Sequence, residues 1–94
     1  YENAFSACPA LYTQARLEQT QSGHHLYVIR LNPDVAPLDR LSLFNRLVER
    51  QIRPQVHYIP VHLQPYYQQR FGHKRGDFPQ AEAYYDACLS LPLY

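Results

Sequence analysis

Val56-His57-Tyr58-Ile59-Pro60-Val61-His62-Leu63-Gln64-Pro65-Tyr66-Tyr67 is the stretch best equipped for chemistry, because imidazole and phenol groups interrupt an apolar run and continue past its end. Strand ends commonly present binding and catalytic side chains, so His57 and Tyr58 either line a cleft at a sheet edge or satisfy hydrogen bonds in the core. Imidazole also binds metals and moves protons near neutral pH, which makes all five histidines candidates. Their spacing argues against a metal site. His57 and His62 are separated by Pro60, His24 and His25 are adjacent and would face opposite sides of a strand, and no H-x-x-x-H or C-x-x-C pair occurs. Cys8 and Cys88 lack any nucleophile signature around them and read as small apolar thiols. Gly23, Gly72 and Gly76 are too dispersed to cradle a phosphate. Arg70, His73, Lys74 and Arg75 form the one local basic cluster, a solvated loop that could also meet a diphosphate. Tyr66-Tyr67 and Tyr84-Tyr85 could stack a base or sugar, or divide between core and surface on amphipathic helices.

The elements that must position these residues follow from periodicity and punctuation. His25 to Leu31 is rich in aliphatic and β-branched residues and stops at Asn32-Pro33-Asp34, which predicts a buried strand. Leu41, Phe44, Leu47, Val48 and Ile52 fall on one helical stripe, with Asp39 as the cap and Pro54 as the stop. Gln55 to Ile59 reads as a second strand ended by Pro60, and Gln64 to Phe71 as a short helix with Pro65 in its first turn. Asp77-Phe78-Pro79 opens a last helix, with Ala81, Tyr84 or Tyr85, and Cys88 inward, and Leu89 to Leu93 reads as a third strand. Residues 1–23 show no sustained period and read as an irregular or extended lead-in. The expected fold is α+β, a small, mainly antiparallel three-stranded sheet covered by helices.

Length and composition bound the function. A chain of 94 residues holds one core, and its apolar runs are far too short to span a membrane. No secretory leader is expected at its start, and Cys8 and Cys88, 80 positions apart, read as two free thiols of a cytoplasmic protein rather than as one bridge. A net charge of +1 gives no footprint for nucleic acid. The first residue is not Met, which suggests a piece of something longer.

Four collinear motifs carry a resemblance: His25-Leu26-Tyr27-Val28-Ile29-Arg30-Leu31, Val56-His57-Tyr58-Ile59-Pro60-Val61-His62, Phe78-Pro79-x-Ala81-Glu82, and Leu89-Ser90-Leu91-Pro92-Leu93-Tyr94. In order and spacing they resemble the C-terminal domain of DegT-type nucleotide-sugar aminotransferases, over about His24 to Tyr94. The fuller forms around Val56 to Tyr67 and Phe78 to Tyr85 resemble most the branch that serves pseudaminic acid synthesis.

The resemblance implies a fold type I, PLP-dependent homodimer that moves an amino group from glutamate to a 4-keto nucleotide sugar. It implies substrate contacts at His57, Tyr58, Ile59 and Pro60, with His62 at the mouth of the site and His25 as a further candidate. It also implies that the Schiff-base lysine lies elsewhere, since the single lysine here, Lys74, sits between glycines in a basic loop. On this reading residues 1–23 lead in from a large domain and residues 24–94 form a small domain cut before a final helix. Such a fragment would bind no PLP, catalyse nothing and self-associate through uncovered apolar surface. One position departs from the family: Gln51 stands where a Gly usually ends the first helix. The competing reading is a free-standing α+β ligand-binding or interaction module.

Overall fold

Tyr27–Leu31 turns Ile29 and Leu31 inward and forms β2, the middle strand of a three-stranded antiparallel sheet. The computed structural model describes residues 1–93. In chain order these fold as α1 (Glu2–Phe5), β1 (Leu11–Tyr12), β2, α2 (Arg40–Glu49), a 3-10 turn (Val61–Leu63), α3 (Pro65–Phe71), α4 (Pro79–Ala87) and β3 (Cys88–Leu91). β2 pairs on one side with β1, Leu11 opposite Leu31, and on the other with β3, Ile29 opposite Leu89.

Strand alternation then sorts the side chains. Ile29, Leu89 and Leu91 form the buried cluster, closed by Leu43, Phe44 and Leu47 of α2 and by Phe5, Leu11, Tyr27 and Val56. Cys88 and Ser90 are turned to the other face, and both are also buried. The expected α+β fold with three antiparallel strands is thus present, but its third strand comes from a different segment.

Gln55 to Ile59, expected as a strand, pairs only through Gln55, whose N–H and carbonyl bond those of Ser90 at 2.9 and 2.8 Å. Pro54 and Pro60 bracket the segment and supply no N–H, which leaves little ladder to build. The place is taken by Leu11–Tyr12 from the lead-in, where Asn32 N–H extends the pairing by donating to Ala10 at 2.9 Å. A two-residue strand has no period to detect. The helical turn α1 joins the same unit: the Tyr1 ring lies 4.9 Å from that of Tyr27, and its hydroxyl donates to the Pro92 carbonyl at 2.7 Å. Phe5 and Leu11 thus pack against the core, and the first part of the lead-in is docked on the sheet. The first residues of the expected strand differ as well, since His25 lies in a bend before β2.

Helix α2 is capped as expected, the Asp39 carboxylate accepting from Ser42 N–H at 2.7 Å, and this bond holds the carboxyl below its usual range. Its buried face is rotated from the predicted stripe. Leu43, Leu47 and Phe44 fall within an arc of about 100° and pack on the sheet, while Leu41 and Val48 lie beyond that arc and are 67% and 47% exposed. The helix ends in a Schellman motif, with Ile52 N–H bonding the Leu47 carbonyl and Gln51 N–H that of Val48, each at 2.9 Å. That geometry requires the left-handed region, and Gln51 adopts φ 62 despite its Cβ. Gln51→Gly is therefore expected to stabilise the fold by about 0.5–1 kcal/mol, the relief of the left-handed penalty less the added freedom of the unfolded chain. Thermal unfolding should show a higher midpoint, and a lower one would contradict the cap.

Candidate functional site

The segment from Val56 to His62 leaves β3 at its free edge. Val56 points into the core, and Gln55 ties the backbone to Ser90, so the next residues are presented where the pairing stops. His57 is half-buried, with Nδ1 2.8 Å from Ser90 Oγ. Tyr58 follows across a cis peptide, its ring edge-on to that of His57 at 4.6 Å, and is 74% exposed. Ile59 is exposed and Pro60 half-buried. Of the residues predicted for the site, His57, Tyr58, Ile59 and Pro60 thus form one continuous ledge.

His62 is more enclosed than the ledge. It is 7% exposed, with Nε2 2.8 Å from Glu82 Oε1. Glu82 also accepts from Gly76 N–H at 2.8 and 2.9 Å and from Phe78 N–H at 3.3 Å. The His62 ring sits 4.7 Å from Phe78, and His73 meets Phe78 edge-on at 5.4 Å. His62 therefore anchors the turn before α4, its ring nitrogen paired with a buried carboxylate. A hollow of about 330 Å³ beside it is lined by Pro60, Val61, His62, Tyr67, His73, Phe78 and Ala81, which joins the ledge to α3 and α4. His25 is exposed at the bend before β2, and the hydrogen bonds that gather His57, Ser90, His62 and Glu82 do not include it.

Burial pushes the Glu82 carboxyl up, but the hydrogen bonds from His62, Gly76 and Phe78 outweigh it and hold the group below its ordinary value. A depressed folded value means that Glu82 stabilises the fold above its unfolded pKa, about 4.3, and that this contribution is lost as pH falls through the folded value. Glu82→Gln is expected to be less stable than the wild type at neutral pH and to lose less on acidification below about pH 4.3. Asp39 and Asp77 are lowered too and act on the same acid limb in both proteins, so the difference between the two curves of thermal midpoint against pH isolates Glu82. Parallel curves would contradict its role.

Lys74 is exposed, and its backbone N–H donates to Asp77 Oδ2 at 3.0 Å. Nothing desolvates its amine, so the residues of this chain do not fit PLP as an imine partner. In the same loop Arg75 is taken up by Asp86 and approaches Glu82 at 4.0 Å. The second tyrosine pair divides as amphipathic helices do: Tyr85 is half-buried under the Arg40 guanidinium at 4.9 Å, and Tyr84 is 39% exposed. Among the described residues no three His, Cys, Asp or Glu side chains converge as metal ligands, and no helix is long and apolar enough to cross a membrane.

Ser90 and Glu82 are the members of this arrangement that the sequence reading did not single out. Each left a trace: Ser90 is the one polar residue in Cys88–Leu91, and Glu82 is an acid in the first turn after a Pro start, close enough to accept from the Phe78 N–H.

The family model for the DegT/DnrJ/EryC1/StrS aminotransferases matches residues 1–94, including the lead-in that the motifs alone left outside. The spore coat polysaccharide biosynthesis protein SpsC of Bacillus subtilis (strain 168) is 42% identical over 95 residues, covering 100% of this chain and 24% of its own length. The UDP-4-amino-4,6-dideoxy-N-acetyl-beta-L-altrosamine transaminase of Helicobacter pylori is 32% identical, again over 100% of this chain and 24% of its own length. The solved structure of Helicobacter pylori PseC, an aminotransferase involved in the biosynthesis of pseudoaminic acid, superposes with a TM-score of 0.81 at 30% identity, over 97% of this chain and 24% of that one. The chain thus spans about a quarter of the length of the relatives it matches. With a match that runs through every element described above, the chain belongs to the DegT/DnrJ/EryC1/StrS aminotransferase family.

Proposed function

We propose that this chain is the C-terminal small domain of a PLP-dependent aminotransferase that moves an amino group from glutamate to a 4-keto nucleotide sugar. In this reading residues 1–23 lead in from a large domain and residues 24–94 form the small one. The observation that carries it is the family match over the whole chain, which favours it over a free-standing binding module. The chain's own part is to contact the sugar nucleotide. His57, Tyr58, Ile59 and Pro60 supply the contacts from their ledge, His62 holds the neighbouring turn, and His25 belongs to the site only if another part of the protein closes over it. The matching relatives include a spore coat polysaccharide protein as well as the altrosamine transaminase, which supports a class of nucleotide sugars, with the pseudaminic acid branch as one member. A homodimeric parent and self-association of the isolated chain belong to the same proposal, supported by the exposed Val48, Tyr66 and Phe71. A cytoplasmic location is supported by the free thiols Cys8 and Cys88.

The test is made on the full-length protein. Supplied with glutamate and a 4-keto nucleotide sugar, it should form 2-oxoglutarate and the amino sugar in equal amounts. Lys74→Ala should leave both its PLP content and its turnover unchanged, because the exposed amine holds no cofactor. Loss of the cofactor in that variant, or no amino transfer to any 4-keto nucleotide sugar by a PLP-loaded protein, would contradict the proposal.

A further inference from the structure

Ser90 is 4% exposed, and its hydroxyl has one hydrogen-bond partner among the described residues, His57 Nδ1 at 2.8 Å. The direction of that bond follows from the cost of leaving polar groups unpaired. If Nδ1 carried the proton and donated to Oγ, the serine O–H would be left buried without an acceptor, a loss comparable to a hydrogen bond. If the serine donates to a bare Nδ1, both groups are satisfied. The second arrangement puts the ring proton on Nε2, which has no partner among the described residues, on a half-buried ring packed edge-on against the exposed Tyr58.

The backbone acts in the same sense. Ser90 exchanges two hydrogen bonds with Gln55, at 2.9 and 2.8 Å, only two residues before His57. One residue therefore grips both the segment and the ring at its end. Opposite Ser90 on the inner strand stands Val28, so the grip is set in the sheet and not in a loop.

We infer that Ser90 is a positioning residue for sugar-nucleotide binding: its hydroxyl fixes His57 in the Nε2–H tautomer and aims that donor at an oxygen acceptor of the nucleotide sugar. The inference rests on the proposed role of His57 as a sugar contact. A donor of this kind recognises a hydroxyl, phosphate or carbonyl oxygen, all of which a nucleotide sugar offers, and it discriminates against a ligand that presents a donor instead.

The experiment uses the full-length protein and its sugar substrate. Ser90→Ala is expected to raise KM for the sugar about fivefold with kcat unchanged, the effect of one hydrogen bond made equally in ground and transition states. In a His57→Ala background the same change should add nothing, because the residue through which it acts is gone. A multiplicative rise in that background would show that Ser90 acts by packing alone and overturn the inference. Should His57→Ala raise KM while Ser90→Ala does not, only the role of Ser90 falls. Should His57→Ala itself leave KM unchanged, the sugar-contact reading falls and this inference with it. Neutron diffraction on the wild-type protein gives a reading that does not depend on any variant: a proton on Nε2 is expected, and a proton on Nδ1 would overturn the assignment.

Discussion

Leu89→Ala should cost about 3–4 kcal/mol of stability, the largest effect expected of any single truncation in this fold. Leu89 is 0% exposed, stands directly opposite Ile29 in the ladder, and is held between β2 and the inner face of α2. Among the described residues the buried cluster is just Ile29, Leu89 and Leu91, so few neighbours can shift to fill the space that truncation would leave. A loss of that size is a large share of the 5–15 kcal/mol, roughly, by which domains are stable. The control is Leu41→Ala, which removes the same atoms from a side chain that is 67% exposed and should change stability by no more than about 0.5 kcal/mol. Urea unfolding of the full-length protein, followed by a probe in this domain, should show a lower midpoint for Leu89→Ala at unchanged slope and no shift for Leu41→Ala. Equal losses at the two positions would mean that α2 presents the face predicted from periodicity and not the one described here.

That contrast also marks how far the sequence was readable. The aliphatic run of β2, the Asp39 cap, the Pro65 and Pro79 helix starts and the terminal apolar strand were legible because each is a local signal: composition, a capping side chain, or a fixed φ. The rotation of α2 was not, since Leu41, Leu43, Phe44, Leu47 and Val48 offer two overlapping apolar arcs and only the packed sheet chooses between them. β1 was hidden for the opposite reason. Two residues carry no period, and Leu11–Tyr12 is a strand only because β2 offers it an edge.

At the candidate site the unusual run of His and Tyr residues was visible, while its supports were not. His62 and His57 look alike in the sequence, yet one is paired with Glu82, 20 positions away, and the other with Ser90, 33 positions away. Both partners are set by tertiary contacts of high sequence separation, which no local pattern encodes. Gln51 is the converse case, a residue other than glycine that holds a left-handed cap, because the two Schellman hydrogen bonds outweigh the strain at one position.

The central claim is that this chain contacts the sugar nucleotide through the ledge at His57 and Tyr58 without taking part in holding the cofactor. The full-length protein carrying His57→Ala and Tyr58→Phe together tests it most directly, because His57 is bonded to Ser90 at the edge of β3 and Tyr58 is largely exposed. Loss of one or two hydrogen bonds to the sugar, on the order of 1.4 kcal/mol, should raise KM for the nucleotide sugar about tenfold. Its PLP absorbance and its KM for glutamate should stay as in the wild type. A folded double variant with unchanged sugar kinetics would contradict the account, showing that His57 and Tyr58 serve the packing of the domain and that the sugar is held elsewhere.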